Sequence, residues 1–209
     1  MPDQSITVLL VDDHSLVRRG FRRMLEDEPE ISVVGEAEDG HQAVELAARL
    51  TPRVVLMDFA LPSMNGAVAA RHILRNNPKC SILILSMHAE ASYVRTCLDA
   101  GVRGYLLKNA LDLEMVDAVK RGARGQTVLD PRLGFVDPTS SSTASLTARE
   151  LEVLQLIVYG KTNKVIASVL DVSANTVAVH RANIMQTLDI HNTAELVVYA
   201  IRQGLVSIA

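Results

Sequence analysis

Five polar residues stand where short apolar runs of the sequence end. Asp12 and Asp13 follow ITVLLV, Asp58 closes RVVLMD, Ser86 closes SILILS and Lys108 follows VRGYLL. Carboxylates, a hydroxyl and an ammonium are the groups that proteins use to hold a divalent cation and a phosphoryl group. Brought together, these five residues could carry out phosphoryl transfer onto an aspartate, in which positioning and charge neutralisation supply most of the catalysis.

The elements that must position these residues can be predicted from the apolar pattern. Each run is short and rich in Val, Ile and Leu without alternation, which is typical of strands buried on both faces of a parallel sheet. Amphipathic segments between the runs predict helices, so the first part of the chain is expected to be a doubly wound α/β domain. The predicted strands are 6–11, 31–37, 53–58, 81–86 and 102–107, and the predicted helices are 15–28, 40–50, 65–76, 90–100 and 111–121.

The carboxyl ends of parallel strands form the ligand site of such a sheet. If the first and third strands are neighbours, Asp12, Asp13 and Asp58 crowd together and repel one another, and Mg²⁺ would relieve that repulsion. Taken singly, an Asp or Ser after a strand is commonly a turn or cap residue, and a Lys is usually a solvated charge. The coincidence of five suitable residues at strand ends favours a site.

Four motifs at these strand ends carry a family resemblance. VLLVDDH, VVLMDFALPSMNG, ILILSMH and GYLLKNA resemble the motifs of a response-regulator receiver domain, a flavodoxin-like (βα)5 fold, over residues 5 to about 123. The resemblance implies that Asp58 accepts phosphate from a sensor histidine kinase. It also implies that Asp13, Asp58 and the backbone carbonyl of Ala60 hold Mg²⁺, with Asp12 beside them.

The same resemblance implies a switch. Ser86 and Lys108 would contact the phosphoryl group, the Ser86 hydroxyl would move toward it, and the ring of Tyr105 would turn inward. Tyr105 could also be an ordinary core aromatic residue.

Pro, Ser and Thr mark a change of character in FVDPTSSSTASLTARE, which predicts a linker. We therefore divide the chain into a receiver domain at 1–123, a linker at 124–144 and an all-α domain at 145–209. Ser145 or Thr147 could cap the first helix of the last domain together with Glu150. The four helices predicted there are 148–159, 163–170, 174–188 and 193–203.

The segment from Leu146 to about Tyr199 resembles the helix-turn-helix domain of the LuxR/NarL family, through LTARE, GKTNK and NTV among other matches. The resemblance implies a supporting helix at 163–170 and a recognition helix at 174–188. The whole chain is thus identified as a member of the NarL/FixJ class, which implies a transcription regulator that binds double-stranded DNA and forms a homodimer on phosphorylation or on DNA.

At about 100° per residue, Val177, Ile184 and Leu188 form one stripe of the recognition helix, which we expect to be buried. The opposite face carries no charge. Neutral side chains there could meet thymine methyl groups and base edges, while flanking residues could hold phosphates. The expected DNA contacts are Lys161, Thr162, Lys164, Asn175, Thr176, Ala178, Val179, His180, Arg181 and Ala182.

The low charge of this domain leaves a second function open. Residues 145–209 hold five Lys or Arg and five Asp or Glu. The family usually has lysine at the position of Ala178, often a basic residue at that of Thr187, in some members lysine at that of Ala182, and usually glycine at that of Asp189. The alternative is a phosphoreceiver whose helical domain serves protein interaction or dimerisation, with DNA binding weak or lost.

A phosphohydrolase with an aspartyl-phosphate intermediate is a third possibility. Such an enzyme would need a second carboxylate two residues beyond the nucleophile, and Ala60 stands there. We therefore expect a regulator and not an enzyme.

Composition fits a globular protein, since 48% of the residues are apolar. No run of about 18 apolar residues could cross a bilayer, and MPDQSITVLL does not resemble a signal peptide. We expect a cytoplasmic protein without membrane contact. Cys80 and Cys97 are expected to be unpaired core or surface residues.

Overall fold

A parallel sheet forms the centre of the first domain. The structure, a computed structural model, describes residues 5–62, 64–87, 89, 91–108, 112–133 and 146–202. Within these ranges the sheet has six strands in the order β2-β1-β3-β4-β5-β6. The strands are β1 (Ile6–Val11), β2 (Ile31–Ala37), β3 (Val54–Asp58), β4 (Ser81–Ser86), β5 (Gly104–Leu107) and β6 (Val128–Leu129).

The strand order confirms the arrangement on which the site prediction depends. β1 pairs in parallel with β3, and Val11 lies opposite Met57. β4 lies on the other side of β3, and its last residue, Ser86, is opposite Leu107 of β5. The ends of β1, β3, β4 and β5 therefore meet at one edge of the sheet.

Helices cover the sheet and build the second domain. The predicted helices are confirmed to within two residues wherever the structure describes their ends. The predicted helix starts at 90 and 111, the end at 203 and the possible cap Ser145 lie outside the described residues. The helices are α1 (Ser15–Glu26), α2 (Gly40–Leu50), α3 (Gly66–Asn76), α4 (Ala91–Asp99), α5 (Asp112–Ala123), α6 (Ala148–Val158), α7 (Asn163–Val169), α8 (Ala174–Thr187) and α9 (Thr193–Arg202).

The sixth strand lies inside the segment expected to be a linker. β6 pairs in parallel with β5, and a 3-10 turn at Pro131–Leu133 follows it. Asp130 fastens this extension, because its side chain accepts the Leu107 N–H at 3.1 Å. The sheet thus continues past the expected boundary at 123, and a two-residue strand is too short to give a hydrophobic period. Residues 134–144 of the expected linker lie outside the described residues.

Side-chain caps fix the starts of three helices in the second domain. Thr147 caps α6 in a capping box with Glu150, which selects it between the two predicted caps. Thr162 accepts the Val165 N–H at the start of α7, and Ser173 accepts the Thr176 N–H at the start of α8. These caps satisfy backbone donors that the first helical turn leaves unpaired. The boundaries of the helix-turn-helix are therefore set locally.

The two domains are in contact, and α6 packs against α3. One apolar cluster of buried residues extends from the α2–α3 side of the sheet into the helical domain. None of the helices in the described ranges is both long and apolar enough to cross a membrane.

Candidate functional site

Lys108 joins two carboxylates at the carboxyl edge of the sheet. Its Nζ donates to Asp12 Oδ2 and to Asp58 Oδ2, each at 2.8 Å. Asp12 and Asp58 are almost fully buried at 1% and 4% exposure. The backbone N–H of Ala60 also donates to Asp58 Oδ1 at 3.2 Å. Three separate strand ends thus place their charged groups around one point.

The protonation of this cluster follows from burial and charge. Burial raises the pKa of Asp58 above its usual value, while the Lys108 ammonium opposes the rise. Burial lowers the pKa of Lys108, but Asp58 and Asp12 outweigh it and raise that pKa overall. Lys108 therefore stays charged and helps to keep Asp58 ionised, which a nucleophilic carboxylate requires.

Asp13 and His14 complete the acidic rim beside this pair. Carboxylate oxygens of Asp12 and Asp13 and a ring nitrogen of His14 lie within 4.8 Å of one another. The Oδ1 of Asp13 is buried and accepts no well-directed hydrogen bond from any described residue, although His14 Nδ1 is 2.6 Å away. A carboxylate oxygen without a well-directed hydrogen-bond donor is suited to bind a cation.

The donor set fits Mg²⁺. Asp12 and Asp58 share the single ammonium of Lys108. Asp13 adds a third carboxylate next to Asp12, so the carboxylates outnumber the ammonium by two. Mg²⁺ is a divalent cation that prefers oxygen ligands, so it suits this excess of negative charge. His14 was not predicted as part of this cluster, although it follows the two aspartates directly in VDDH.

The remaining predicted receiver residues lie in the same strands. Ser86 ends β4 and is 2% exposed, and Tyr105 is completely buried in β5 beside it. The inward position of the Tyr105 ring is the one that the resemblance implies for the switched state, and it equally suits a core aromatic residue.

The recognition helix α8 is oriented as predicted. Val177 and Ile184 are fully buried and Leu188 is partly buried, which confirms the inward stripe. On the opposite side Asn175, Ala178 and Ala182 are exposed, and Val179 is 52% exposed. The outward face is accessible and uncharged.

Arg181, the only arginine of α8, is held by other helices of its own domain. Its Nη1 donates to Asn163 of α7 at 3.3 Å, and its Nη2 donates to Thr193 of α9 at 2.8 Å. Lys161 and Lys164, by contrast, are exposed at the start of α7. The positive charge available to a phosphate backbone therefore lies at the start of α7 more than on α8.

Three further residues in or next to α8 have a defined conformation or hydrogen-bonding state. Asp189, just beyond the end of α8, has a φ of 53°, the left-handed conformation that glycine adopts most easily. His180 is half-buried, and among the described residues its Nδ1 meets no hydrogen-bond partner. Thr176 is engaged with Ser173 in the capping turn.

Comparisons with known proteins match both domains. Residues 8–120 match the response regulator receiver domain, and residues 144–200 match the bacterial regulatory proteins of the luxR family. This chain is a response regulator of the LuxR family. The predicted family and the predicted fold, a receiver domain followed by a helical LuxR-type domain, are confirmed.

Relatives of this response regulator share its full length. It is 36% identical to the transcriptional regulatory protein DegU of Brevibacillus brevis, covering 99% of this chain and 97% of that protein. It is 38% identical to LiaR of Bacillus subtilis strain 168, covering 97% of this chain and all of LiaR. A solved structure of RcsB from Salmonella enterica serovar Typhimurium, bound to the promoter rprA with the phosphomimetic BeF3⁻, is 26% identical with a TM-score of 0.74 and covers 93% of this chain and 98% of that one.

Proposed function

We propose that Asp58 accepts phosphate from a sensor histidine kinase and that this modification controls the DNA binding of the helical domain. The receiver and LuxR-type domains make the response regulator a transcription regulator by family. The observation that carries the assignment of Asp58 is the ammonium of Lys108, held 2.8 Å from both Asp58 and Asp12 at the end of the sheet.

The chemistry that this arrangement supports is displacement at phosphorus. A carboxylate oxygen of Asp58 attacks the phosphorus atom, the bond between phosphorus and the donor nitrogen breaks, and an acyl phosphate forms. Lys108 and Ser86 would contact the new phosphoryl oxygens. Mg²⁺, held by Asp13, Asp58 and the Ala60 carbonyl with Asp12 beside them, would neutralise charge on the transferring group.

Phosphate mapping tests the assignment of Asp58. The full chain is incubated with Mg²⁺ and phosphoramidate, a small phosphodonor, and the acyl phosphate is trapped by borohydride and located by mass spectrometry. We expect one labelled carboxyl, at Asp58, and none in Asp58→Asn. Equal labelling of Asp58→Asn would overturn the assignment.

For the helical domain we propose DNA binding through α8. Its exposed neutral face could contact base edges and thymine methyl groups, with Lys161, Thr162 and Lys164 on the phosphates. RcsB, which is similar over nearly its whole length, has been solved on promoter DNA. Since few cations are available on each protomer, two helical domains in a homodimer would supply the affinity that one lacks.

The uncharged outward face of α8 supports one alternative, a helical domain that binds protein. Anisotropy titration with genomic fragments, with and without phosphoramidate, separates the two functions. Binding of a particular fragment above the level of mixed-sequence DNA supports the DNA regulator, and equal affinity for all fragments in both states supports the alternative.

The site would not hydrolyse external phosphate esters and would act only on the phosphate bound to Asp58. The matched family consists of transcription regulators, and Ala60 supplies no second carboxylate for hydrolysis of external esters. We therefore expect no multiple turnover on small phosphate esters. Action on chromosomal DNA would place the protein in the cytoplasm.

A further inference from the structure

Arg18 of α1 reaches back to the peptide that joins the two aspartates after β1. Its Nη1–H donates to the backbone carbonyl of Asp12. The Asp12 N–H in turn donates to the Ala37 carbonyl at the end of β2, at 3.1 Å. Both backbone polar groups of Asp12 are therefore paired, and Arg18 fixes the carbonyl side of the peptide between Asp12 and Asp13.

Glu36 of β2 holds the Arg18 guanidinium in place. Arg18 Nε donates to Glu36 Oε2 at 3.2 Å, and Arg22, one turn further along α1, donates to Glu36 Oε1 at 2.6 Å. The hydrogen bond from Arg22 above all, with that from Arg18, holds the pKa of Glu36 below its usual value, so this carboxylate is ionised at neutral pH. The planar guanidinium of Arg18 thus joins Glu36 to the Asp12 carbonyl.

Asp13 has less support of its own than Asp12. The Asp12 carboxylate accepts the His14 N–H and the Lys108 ammonium, each at 2.8 Å. The Oδ1 of Asp13 is buried and accepts no well-directed hydrogen bond within the described part of the chain, and the His14 ring beside it is 62% exposed. The direction of the Asp13 side chain therefore depends on the peptide before it, which Arg18 holds.

The charges around Arg18 are balanced. The two arginines of this cluster, Arg18 and Arg22, face the two carboxylates of Glu36 and Glu26. Equal numbers of opposite charges at short range produce only a small net field at the neighbouring aspartates. The contribution of Arg18 to the acidic rim is therefore one of geometry more than of charge.

We infer that Arg18 is a positioning residue for Asp13: its guanidinium, held by Glu36, fixes the Asp12–Asp13 peptide and thereby keeps the Asp13 carboxylate in the direction from which it binds a divalent cation. The inference rests on the proposed function in that Asp13 is taken as a ligand of Mg²⁺. A ligand that is already oriented before the cation arrives loses less conformational entropy on binding, so loss of Arg18 lowers the affinity without removing a ligand.

Calorimetric titration with Mg²⁺ alone tests the inference on the full chain. Arg18→Lys keeps the positive charge, but a single ammonium cannot reproduce the planar fork between Glu36 and the Asp12 carbonyl. We expect this variant to bind Mg²⁺ about tenfold more weakly than the wild type. The matched control is Arg19→Lys, the same replacement at the next, exposed position of α1, for which we expect no change. Unchanged or tighter Mg²⁺ binding by Arg18→Lys overturns the inference.

A double-mutant cycle distinguishes positioning of Asp13 from a general loss of structure. Both backgrounds, wild type and Asp13→Asn, are titrated with Mn²⁺, because the electron paramagnetic resonance of the free ion also measures weak binding. In Asp13→Asn, adding Arg18→Lys should change the affinity by less than about twofold, because the carboxylate that Arg18 orients is absent. An equal loss of affinity in both backgrounds overturns the inference, since Arg18 would then act without Asp13.

Urea unfolding shows whether each variant folds. If Arg18→Lys does not fold, Glu36→Gln replaces it, because its amide has one acceptor oxygen in place of the two that accept from Arg18 and Arg22. The titration is then made at a salt concentration that screens the unbalanced arginine charge. We expect weaker Mg²⁺ binding by Glu36→Gln as well, and unchanged binding overturns the inference.

These outcomes are separate from the test of the proposed function. If phosphate mapping finds no label at Asp58, the proposed function fails, while weaker Mg²⁺ binding by Arg18→Lys would still support the role of Arg18. If labelling succeeds and Mg²⁺ binding is unchanged, only the role of Arg18 fails.

Discussion

At the residue scale, two cations of the helical domain differ in their surroundings. Arg181 links α8 to Asn163 and Thr193, so it stabilises the packing of three helices. Lys164 is exposed on α7, with no ion pair to a described residue. We therefore expect Arg181 to act mainly through stability and Lys164 mainly through contact with DNA.

Replacing the two residues separates these tasks. Lys164→Ala should make the negative slope of log affinity against log salt concentration shallower by about 0.9, because one phosphate contact is lost. The free energy of unfolding should not change. Arg181→Ala should lower the free energy of unfolding by about 1–2 kcal/mol, because its two hydrogen bonds are lost. DNA anisotropy at several salt concentrations and urea unfolding measure both quantities. The assignment fails if Arg181→Ala changes the salt slope and leaves stability unchanged.

Residues that meet across the fold were the hardest to predict. Asp12, Asp58, Ser86 and Lys108 could be grouped because strand ends share an edge of the sheet. The partners of Arg181 lie on two other helices, and the partners of Gln155 lie in the other domain. The angular position of a residue predicts the face of its own helix on which the side chain lies. It does not predict which residues of other elements pack against that face.

At the element scale, the approach of α3 to β3 depends on Gly66. A Cβ at this position would overlap the Asp58 carbonyl oxygen and crowd Phe59. The glycine thus lets α3 begin directly against the end of the strand that carries Asp58.

Gly66→Ala should therefore lower the free energy of unfolding by roughly 1–3 kcal/mol and slow phosphorylation of Asp58, since the strand end must move. Gly20→Ala is the matched control, because Gly20 is exposed in α1 and a Cβ there meets nothing within 4 Å. We expect it to raise stability by about 0.5–1 kcal/mol. Urea unfolding and phosphorylation rates are measured for both variants. Equal effects of Gly66→Ala and Gly20→Ala would contradict the dependence of the α3–β3 approach on Gly66.

The edge strand β6 depends on Asp130. Two hydrogen bonds from Arg132 hold the pKa of Asp130 down to about 2, even though burial opposes the charge. Because the folded-state pKa is depressed, the carboxylate stabilises the fold above pH about 4, and this stabilisation is lost as the pH falls toward 2.

Asp130→Asn should lower the free energy of unfolding at pH 7 by about 1–2 kcal/mol. The loss is no larger because Arg132, the partner of Asp130, is exposed to solvent. The difference from the wild type should shrink as the pH falls from about 4 to 2. Asp117→Asn, at an exposed ion pair with Arg121, should change stability little. Urea unfolding at a series of pH values measures this, and a difference that grows in acid would refute the role of Asp130.

Long and strongly patterned elements were predictable, and short ones were not. The five main strands and the helices followed from apolar runs and from caps such as Thr147 with Glu150. β6 has only two residues, which pair with β5 and are followed by the Asp130 carboxylate, so no hydrophobic period marks it. The predicted start of the linker at residue 124 therefore lies too early in the chain.

At the scale of the whole molecule, contact between the domains does not cover the recognition helix. α6 packs on α3 while the outward face of α8 stays exposed. Control of DNA binding would then act through the arrangement of two helical domains in a dimer more than through shielding of α8. The two domains could be predicted from their motifs, but their mutual contact could not, because the sequence does not tell which side chains of α6 pack against α3.

The most direct test of the account is DNA affinity of the full chain as a function of phosphorylation. Anisotropy is measured on a genomic fragment selected with the phosphorylated protein, with Mg²⁺ and with or without phosphoramidate, for the wild type and Asp58→Asn. We predict that phosphoramidate increases wild-type affinity for this fragment by about tenfold or more and leaves Asp58→Asn unchanged, since dimer formation adds a second site. The same affinity for the wild type in both states, or an equal increase in Asp58→Asn, would contradict control through Asp58.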